Sequence, residues 1–233
     1  MIVKLLAHSQ LSYEAFNEFK DVCEEAVSDG QIVSLAAIRQ CYSHKTACEV
    51  INTESEKYFG EKGVEGKRLM NHIIKSGHTS TMEHTHFTFT VEGVSRALLA
   101  QLTRHRQLSF SVQSQRYNRF SSDSRSGGFD YVKPHTIEKE TQQEYYFEQC
   151  MNDIQNMYNH LIELGLPQED ARSVLPNAAT CNLVTSGNLR AWLEFYKKRK
   201  PGNGAQAEIA EFAEHIKNAI VEVEPWAKEY FEL

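Results

Sequence analysis

The chain has 233 residues, a formal net charge of −6 and 24% charged residues, with 41% hydrophobic residues. These values are ordinary for a globular protein and argue against general binding to nucleic acid or to a membrane surface. Five cysteines without a Cys-x-x-Cys pair argue against a disulfide framework and a zinc ribbon. No apolar run is long enough for a signal peptide or a membrane span, and we expect a cytoplasmic protein.

The first half of the chain predicts mainly helices. A strand is expected over residues 1–8. Helices are expected over residues 12–29, 33–43 and 64–77, the last of them ending at Gly77. The stretch HTHFTFTV, residues 84–91, alternates apolar and polar residues and therefore predicts a half-buried strand.

The second half predicts further strands between long helices. A helix is expected over residues 95–106, a strand over 108–117 and another strand at FDYVKP, residues 129–134. The Ser- and Gly-rich residues 121–128 predict a loop. A long helix is expected over 138–164 and a last one over about 205–222. Because the strands are close in sequence, we predict one α+β domain over residues 1–233, with a mostly antiparallel sheet flanked by long helices.

The stretch RHRQLSFSVQSQR, residues 104–116, begins an arginine cluster in an acidic chain. Arginine binds phosphate or carboxylate with two parallel hydrogen bonds. On a strand, side chains two residues apart share a face, so Arg116 would end an apolar row and would need an anion there. The alternative is that these side chains complement a helix end or are solvated. The five arginines of residues 104–125 are Arg104, Arg106, Arg116, Arg119 and Arg125, and only Asp123 opposes them locally.

The stretch SGHTSTMEHTHF, residues 76–87, is rich in histidine. His84 and His86 would share one face of a strand, a spacing that a metal ion could use. The alternative is a polar strand face with exposed or hydrogen-bonded histidines. The sequence has no His-Glu-x-x-His, no Gly-x-Gly-x-x-Gly, no complete phosphate loop, no Gly-x-Ser-x-Gly and no cysteine after a proline.

Several of these segments together resemble the flavin-dependent thymidylate synthases, the thymidylate synthase complementing protein family. RHRQLSFSVQS has the family's Arg-His-Arg, seven residues, Ser pattern, and Gln-Arg-Tyr follows it. Similar blocks are GHTSTMEHTHFTF, ARSVLP, GNLRAWLEFYKKR, AQAEI and, more weakly, AAIRQCYS. The blocks follow the family's order over most of the chain.

The resemblance implies reductive methylation of dUMP to dTMP. Methylenetetrahydrofolate is then the carbon donor, and FADH2, reduced by NADPH, supplies the hydride. No cysteine nucleophile is needed, which agrees with the missing Pro-Cys. The resemblance also implies a homotetramer whose active sites are shared between subunits, with no metal, nucleic acid or membrane involved.

The same resemblance assigns roles to individual residues. The implied flavin-binding residues are His78, Ser80, Glu83, Arg104, His105, Arg106, Asn188 and Arg190. The implied dUMP-binding residues are Gln101, Arg104, Ser114, Gln115, Arg116, Arg172 and Arg199. Arg199 is also the implied catalytic residue, which would contact the uracil ring and favour ionisation at N3.

This sequence departs from some relatives at three places. Ser111 and Val112 replace an Asn-Glu pair, Glu194 replaces a common Asn or His, and Thr81 stands where many members have Pro. Two rival functions are a metal-dependent nucleotide hydrolase, using His78, Glu83 and the following histidines, and an RNA-binding module. The hydrolase does not explain the arginine spacing, and the RNA-binding module would need interleaved aromatic residues and a basic excess.

Overall fold

The computed structural model describes residues 1–19, 27–60 and 64–232. The chain forms two compact units, each built from three separate segments. The first unit consists of Met1–Lys4, Thr90–Thr185 and Arg199–Ala213, and the second of Leu5–Phe89, Ser186–Lys198 and Glu214–Leu233. Among the described residues, no helix has the length and apolar character needed to cross a membrane.

The described residues contain one four-stranded antiparallel sheet with the order β1-β2-β4-β3. Its strands are β1 Ile2–His8, β2 His86–Ser95, β3 Ser109–Val112 and β4 Thr180–Asn188. Phe87, Phe89 and Val91 of β2 are fully buried, as their alternation predicted. The α+β class with an antiparallel sheet is confirmed, whereas the single domain over residues 1–233 stays a prediction.

Helices supply most of the regular structure. In chain order they are α1 Tyr13–Phe19, α2 Asp29–Tyr42, α3 Ala47–Phe59, α4 Val64–Lys75, α5 Arg96–Leu102, α6 Gln142–Glu163, α7 Gln168–Ala171, α8 Leu189–Arg199, α9 Ala207–Val223 and α10 Lys228–Phe231. Short 3₁₀ turns cover Thr79–Glu83, Arg172–Val174 and Pro225–Ala227. Gly77 follows α4 and Gly165 follows α6, both with positive φ, so both helix ends were predicted correctly.

Each unit has its own packed apolar residues. In the second unit, Phe89 and Trp192 pack edge to face with ring centroids 5.2 Å apart, which places β2 against α8. In the first unit, the buried hydroxyl of Tyr158 on α6 accepts a hydrogen bond from the Phe120 N–H at 3.2 Å. That bond fixes α6 to the segment that follows β3.

Two helix predictions near the N-terminus need correction. A helix was expected over residues 12–29, but α1 covers Tyr13–Phe19, residues 27 and 28 are not helical, and residues 20–26 lie outside the described part. The next helix starts at Asp29 rather than at residue 33, because the Ser28 hydroxyl accepts a hydrogen bond from the Gln31 N–H at 3.3 Å. Sequence reasoning also missed α3, although Thr46 and Glu49 form a capping box at its start.

Two strand predictions are wrong. The strand expected over residues 108–117 covers only Ser109–Val112. The chain then turns, because the Ser114 hydroxyl accepts from the Arg116 N–H at 3.1 Å and the Ser114 carbonyl accepts from the Asn118 N–H at 3.2 Å. The expected strand at residues 129–134 is one isolated bridge between Tyr131 and Ala179. In addition, α6 starts at Gln142 rather than at residue 138, since Thr141 caps it.

Candidate active site

The Arg-His-Arg segment, residues 104–106, forms a corner in the first unit. It follows the end of α5 at Leu102, and two turn hydrogen bonds shape it: His105 N–H to Leu102 O at 3.0 Å, and Leu108 N–H to His105 O at 3.1 Å. The side chains of Arg104 and Arg106 are exposed. Within the described residues neither guanidinium forms an ion pair, so both are available to an anionic ligand.

Arg199, the last residue of α8, contacts this corner within the first unit. Its Nε donates to His105 Nε2 at 3.1 Å, and a terminal nitrogen donates to the Gln101 carbonyl at 3.3 Å. An arginine can only donate, so His105 Nε2 accepts and carries no proton in this arrangement. The side chain of Gln101 in turn donates to Gln206. Arg199 is therefore brought to two predicted site residues, Gln101 and His105, that lie more than ninety positions before it in the sequence.

Predicted dUMP-binding residues also meet at the turn after β3. Arg116 Nε contacts Glu169 Oε2 at 2.6 Å, and Arg172 Nε donates to the Glu169 carbonyl at 2.9 Å. Ser114 lies in the same turn through its bond to the Arg116 N–H, and Gln115 lies between them. Glu169 therefore connects the turn that contains Ser114 and Arg116 to the 3₁₀ turn that begins at Arg172.

The apolar strand face that was expected to end at Arg116 does not extend to this residue. Because β3 ends at Val112, Arg116 does not continue its apolar face, and 57% of the Arg116 side chain is exposed. The burial cost that an anion was expected to offset is therefore small. The Arg116 guanidinium instead pairs with Glu169, which lies more than fifty positions further along the chain. Arg119 does pair with Asp123, as the local sequence suggested, at 3.8 Å.

The second unit contains the other predicted flavin-binding residues. Arg190 on α8 lies between two carboxylates: its NH1 is 2.6 Å from Glu83 Oε1, and its Nε is 3.1 Å from Glu194 Oε1. Hydrogen bonds to Glu83 and then to Glu194 raise the pKa of the Arg190 guanidinium. Asn188 accepts from the Ala191 N–H at 2.9 Å and so caps α8.

The histidine-rich segment does not form the strand face that we predicted. His84 lies at the end of the 3₁₀ turn, before β2 begins at His86, so the two do not share a strand face. His78 is exposed, shares a short hydrogen bond with the Tyr42 hydroxyl and stacks on its ring, while Ser80 is exposed in the turn. Among the described residues, no group of three or more His, Cys, Asp or Glu side chains could hold a metal ion.

Sequence reasoning missed the acidic partners of the arginines. Glu169 lies three residues before Arg172, and Glu194 lies four residues after Arg190, both spacings at which side chains on a helix are neighbours. That spacing could have identified Glu194. The pairing of Glu169 with Arg116 depends on the tertiary fold, and no local pattern predicts it.

Comparison with known proteins decides the family. Residues 23–226 match the family model described as thymidylate synthase complementing protein. The chain belongs to this family. A flavin-dependent thymidylate synthase from Geobacter sulfurreducens is 40% identical over 131 residues, which cover 56% of this chain and 55% of that relative's length. Another, from Haloarcula marismortui, is 31% identical over 230 residues and covers 89% of this chain and 93% of the relative.

A solved structure supports the fold independently. The flavin-dependent thymidylate synthase of Helicobacter pylori, crystallised with FAD and dUMP, aligns with a TM-score of 0.65 and 21% identity. The alignment covers 100% of this chain and 98% of that one. At this level of identity the likeness establishes the family's fold.

Proposed function

We propose that this chain is a flavin-dependent thymidylate synthase that methylates dUMP to dTMP. The observation that carries the proposal is the contact of Arg199 with His105 and with the Gln101 carbonyl. It joins the arginine assigned to the uracil ring to the family's Arg-His-Arg segment. The names of the relatives point in the same direction.

The substrate is held by residues of the first unit. Arg172 binds the 5′-phosphate of dUMP together with Arg116, whose single carboxylate partner among the described residues, Glu169, is displaced or shared when the phosphate binds. Ser114 and Gln115 supply further polar contacts in the turn after β3. Gln101 and Arg104 complete the assigned dUMP-binding set, and Arg199 contacts the uracil ring. A guanidinium beside uracil favours the ionised form of N3, because an opposite charge stabilises the anion. Since Arg199 is already hydrogen-bonded on two of its nitrogens, its remaining donors are held in a fixed direction.

The cofactor is FAD, which supplies the hydride when it is bound and reduced. The residues present fit it, because Arg104 and Arg106 are exposed and form no ion pair with any described residue, so both guanidinium groups can reach its pyrophosphate. His78, Ser80, Glu83, His105, Asn188 and Arg190 complete the assigned set. Methylenetetrahydrofolate is the proposed carbon donor and NADPH the proposed reductant.

Three further properties belong to this proposal. The enzyme is a homotetramer with active sites shared between subunits, the chain acts as one domain over residues 1–233, and the protein works in the cytoplasm. The family resemblance supports the first two. The odd number of cysteines without a paired motif is in keeping with a reducing compartment.

The test combines a spectrum and an assay. The purified protein, alone or with added FAD, should show the absorbance bands of oxidised flavin. With dUMP, methylenetetrahydrofolate and NADPH it should form dTMP, detected by chromatography. A folded sample that neither binds FAD at micromolar concentration nor forms dTMP would refute the proposed function.

A further inference from the structure

The second unit contains a small cavity beside Arg190. Its volume is about 140 Å³, and Arg190, Glu194 and Lys197 are its charged lining residues. Apolar side chains, among them Met82 and Leu193, form other parts of its wall. The cavity therefore combines an apolar wall with a polar edge, which is typical of a site for part of a small molecule.

Arg190 is oriented by both of its acidic partners. Glu194 accepts from Nε at 3.1 Å and Glu83 accepts from NH1 at 2.6 Å. A guanidinium has five N–H donors, so three remain, and each carboxylate keeps capacity to accept. The edge of the cavity therefore presents hydrogen-bond donors and acceptors side by side.

Arg190 does not present an unopposed positive charge to the cavity. The carboxylates of Glu83 and Glu194 lie 2.6 and 3.1 Å from its guanidinium nitrogens. A phosphate is an acceptor only and is bound most strongly by unopposed cations. Two carboxylates beside Arg190 disfavour it. A sugar hydroxyl both donates and accepts, carries no charge, and therefore matches this edge.

We propose that Glu194 is a positioning residue which, with Glu83, fixes Arg190 for a neutral, hydroxyl-bearing part of FAD rather than for its pyrophosphate. This inference rests on the proposed function, since it requires that FAD is the ligand. The pyrophosphate is then bound by arginines that have no carboxylate partner in the described part of the chain, and Arg104 is the one to be tested.

The experiment measures FAD affinity by flavin fluorescence at several salt concentrations, for the unchanged protein and four variants. Glu194→Ala removes the accepting oxygen, and Glu194→Gln removes the charge but keeps an oxygen that can accept from Arg190. Arg104→Gln removes a proposed phosphate contact. Glu65→Gln is the matched control, because Glu65 pairs with Arg68 on α4 at 3.3 Å in an exposed helical ion pair. Thermal unfolding of each variant monitors the fold.

The expected results differ between the variants. Glu194→Ala raises the Kd for FAD roughly 2- to 10-fold, the scale of one hydrogen bond, and Glu194→Gln restores most of this loss. The salt dependence of the Kd stays unchanged in both variants, whereas Arg104→Gln reduces it, because screening acts on the phosphate contact. Glu65→Gln leaves both quantities unchanged.

Two outcomes would overturn the inference while leaving the proposed function intact. The first is tighter FAD binding with a steeper salt dependence in Glu194→Gln, which would mean that Arg190 binds phosphate against the opposing charge of Glu194. The second is unchanged FAD binding in a folded Glu194→Ala variant. If the unchanged protein did not bind FAD, the proposed function would fail and this inference with it.

Discussion

At the scale of single residues, the arginines of this chain differ in their partners more than in their local sequence. Arg116 and Arg190 each face a carboxylate, at 2.6 Å in both cases, whereas Arg104 and Arg106 face none among the described residues. Exposed ion pairs contribute only about 0–1 kcal/mol to stability. Their consequence here is functional, because a carboxylate on a guanidinium must be displaced or shared when an anion binds.

The first residue-scale prediction concerns Arg172. Its Nε is used by the Glu169 carbonyl, an uncharged partner, so its positive charge is not neutralised by that contact. Arg172→Ala should weaken dUMP binding roughly tenfold or more, the effect of losing a charged hydrogen bond of about 1.5–3 kcal/mol. FAD binding should change little. Titration calorimetry with dUMP and with uridine measures this, and equal weakening for both ligands would show that Arg172 does not bind the phosphate.

The second residue-scale prediction concerns Ser114. Its hydroxyl accepts from the Arg116 N–H, and a serine without a base to take its proton is a poor nucleophile. Ser114→Ala should therefore raise the KM for dUMP roughly 2- to 10-fold, which corresponds to a neutral hydrogen bond of about 0.5–1.5 kcal/mol. Turnover should remain measurable. Steady-state kinetics gives both constants. A fall in kcat of about 10⁴ with dUMP and FAD still bound would instead identify Ser114 as a nucleophile.

At the scale of elements, the helices and strands that follow an apolar periodicity were predicted correctly. The ends of elements were predicted wrongly where a polar side chain caps a helix or turns the chain. β2 and α9 follow their apolar pattern, and both were predicted. The strand after residue 108 was overextended, because alternation continues through Ser114 although its hydroxyl and carbonyl close a turn. The starts of α2 and α6 were missed by a few residues for the same reason, since Ser28 and Thr141 cap them.

An element-scale prediction follows from the capping box of α3. Thr46 accepts from the Glu49 N–H at 3.3 Å, and the Glu49 carboxylate accepts from the Thr46 N–H at 2.8 Å. Thr46→Ala should lower the free energy of unfolding by about 1 kcal/mol, the usual loss for such a cap. Urea unfolding followed by circular dichroism measures it. Thr46→Ser is the control, because serine keeps the accepting hydroxyl, and equal destabilisation by both changes would contradict a capping role.

At the scale of the whole molecule, the predicted site residues divide between the two compact units. The first unit contains Gln101, the Arg-His-Arg segment, the turn from Ser114 to Arg116, Arg172 and Arg199, and the second contains the rest. Motif order along the chain was enough to name these residues. Motif order could not show that α8 belongs to the second unit up to Lys198, whereas its last residue, Arg199, belongs to the first.

The last prediction tests the absence of a cysteine nucleophile across the whole chain. The reactive form of cysteine is the thiolate, and burial raises the pKa of the Cys181 thiol, which keeps it protonated. Cys41, Cys48 and Cys150 are exposed, Cys23 lies outside the described residues, and none of the five follows a proline. A variant with Cys181→Ala and serine at the other four positions should still form dTMP.

The measurement is kcat for dTMP formation, with FAD and dUMP affinities determined on the same samples. Because Cys181 is buried, its replacement can lower stability, so a second variant keeps Cys181 and changes only the other four cysteines. A proposed hydride transfer from the reduced cofactor to the uracil ring needs no thiolate, so turnover should persist in both variants. Loss of turnover in a single cysteine variant that still binds FAD and dUMP would identify that cysteine as a nucleophile and refute this mechanism.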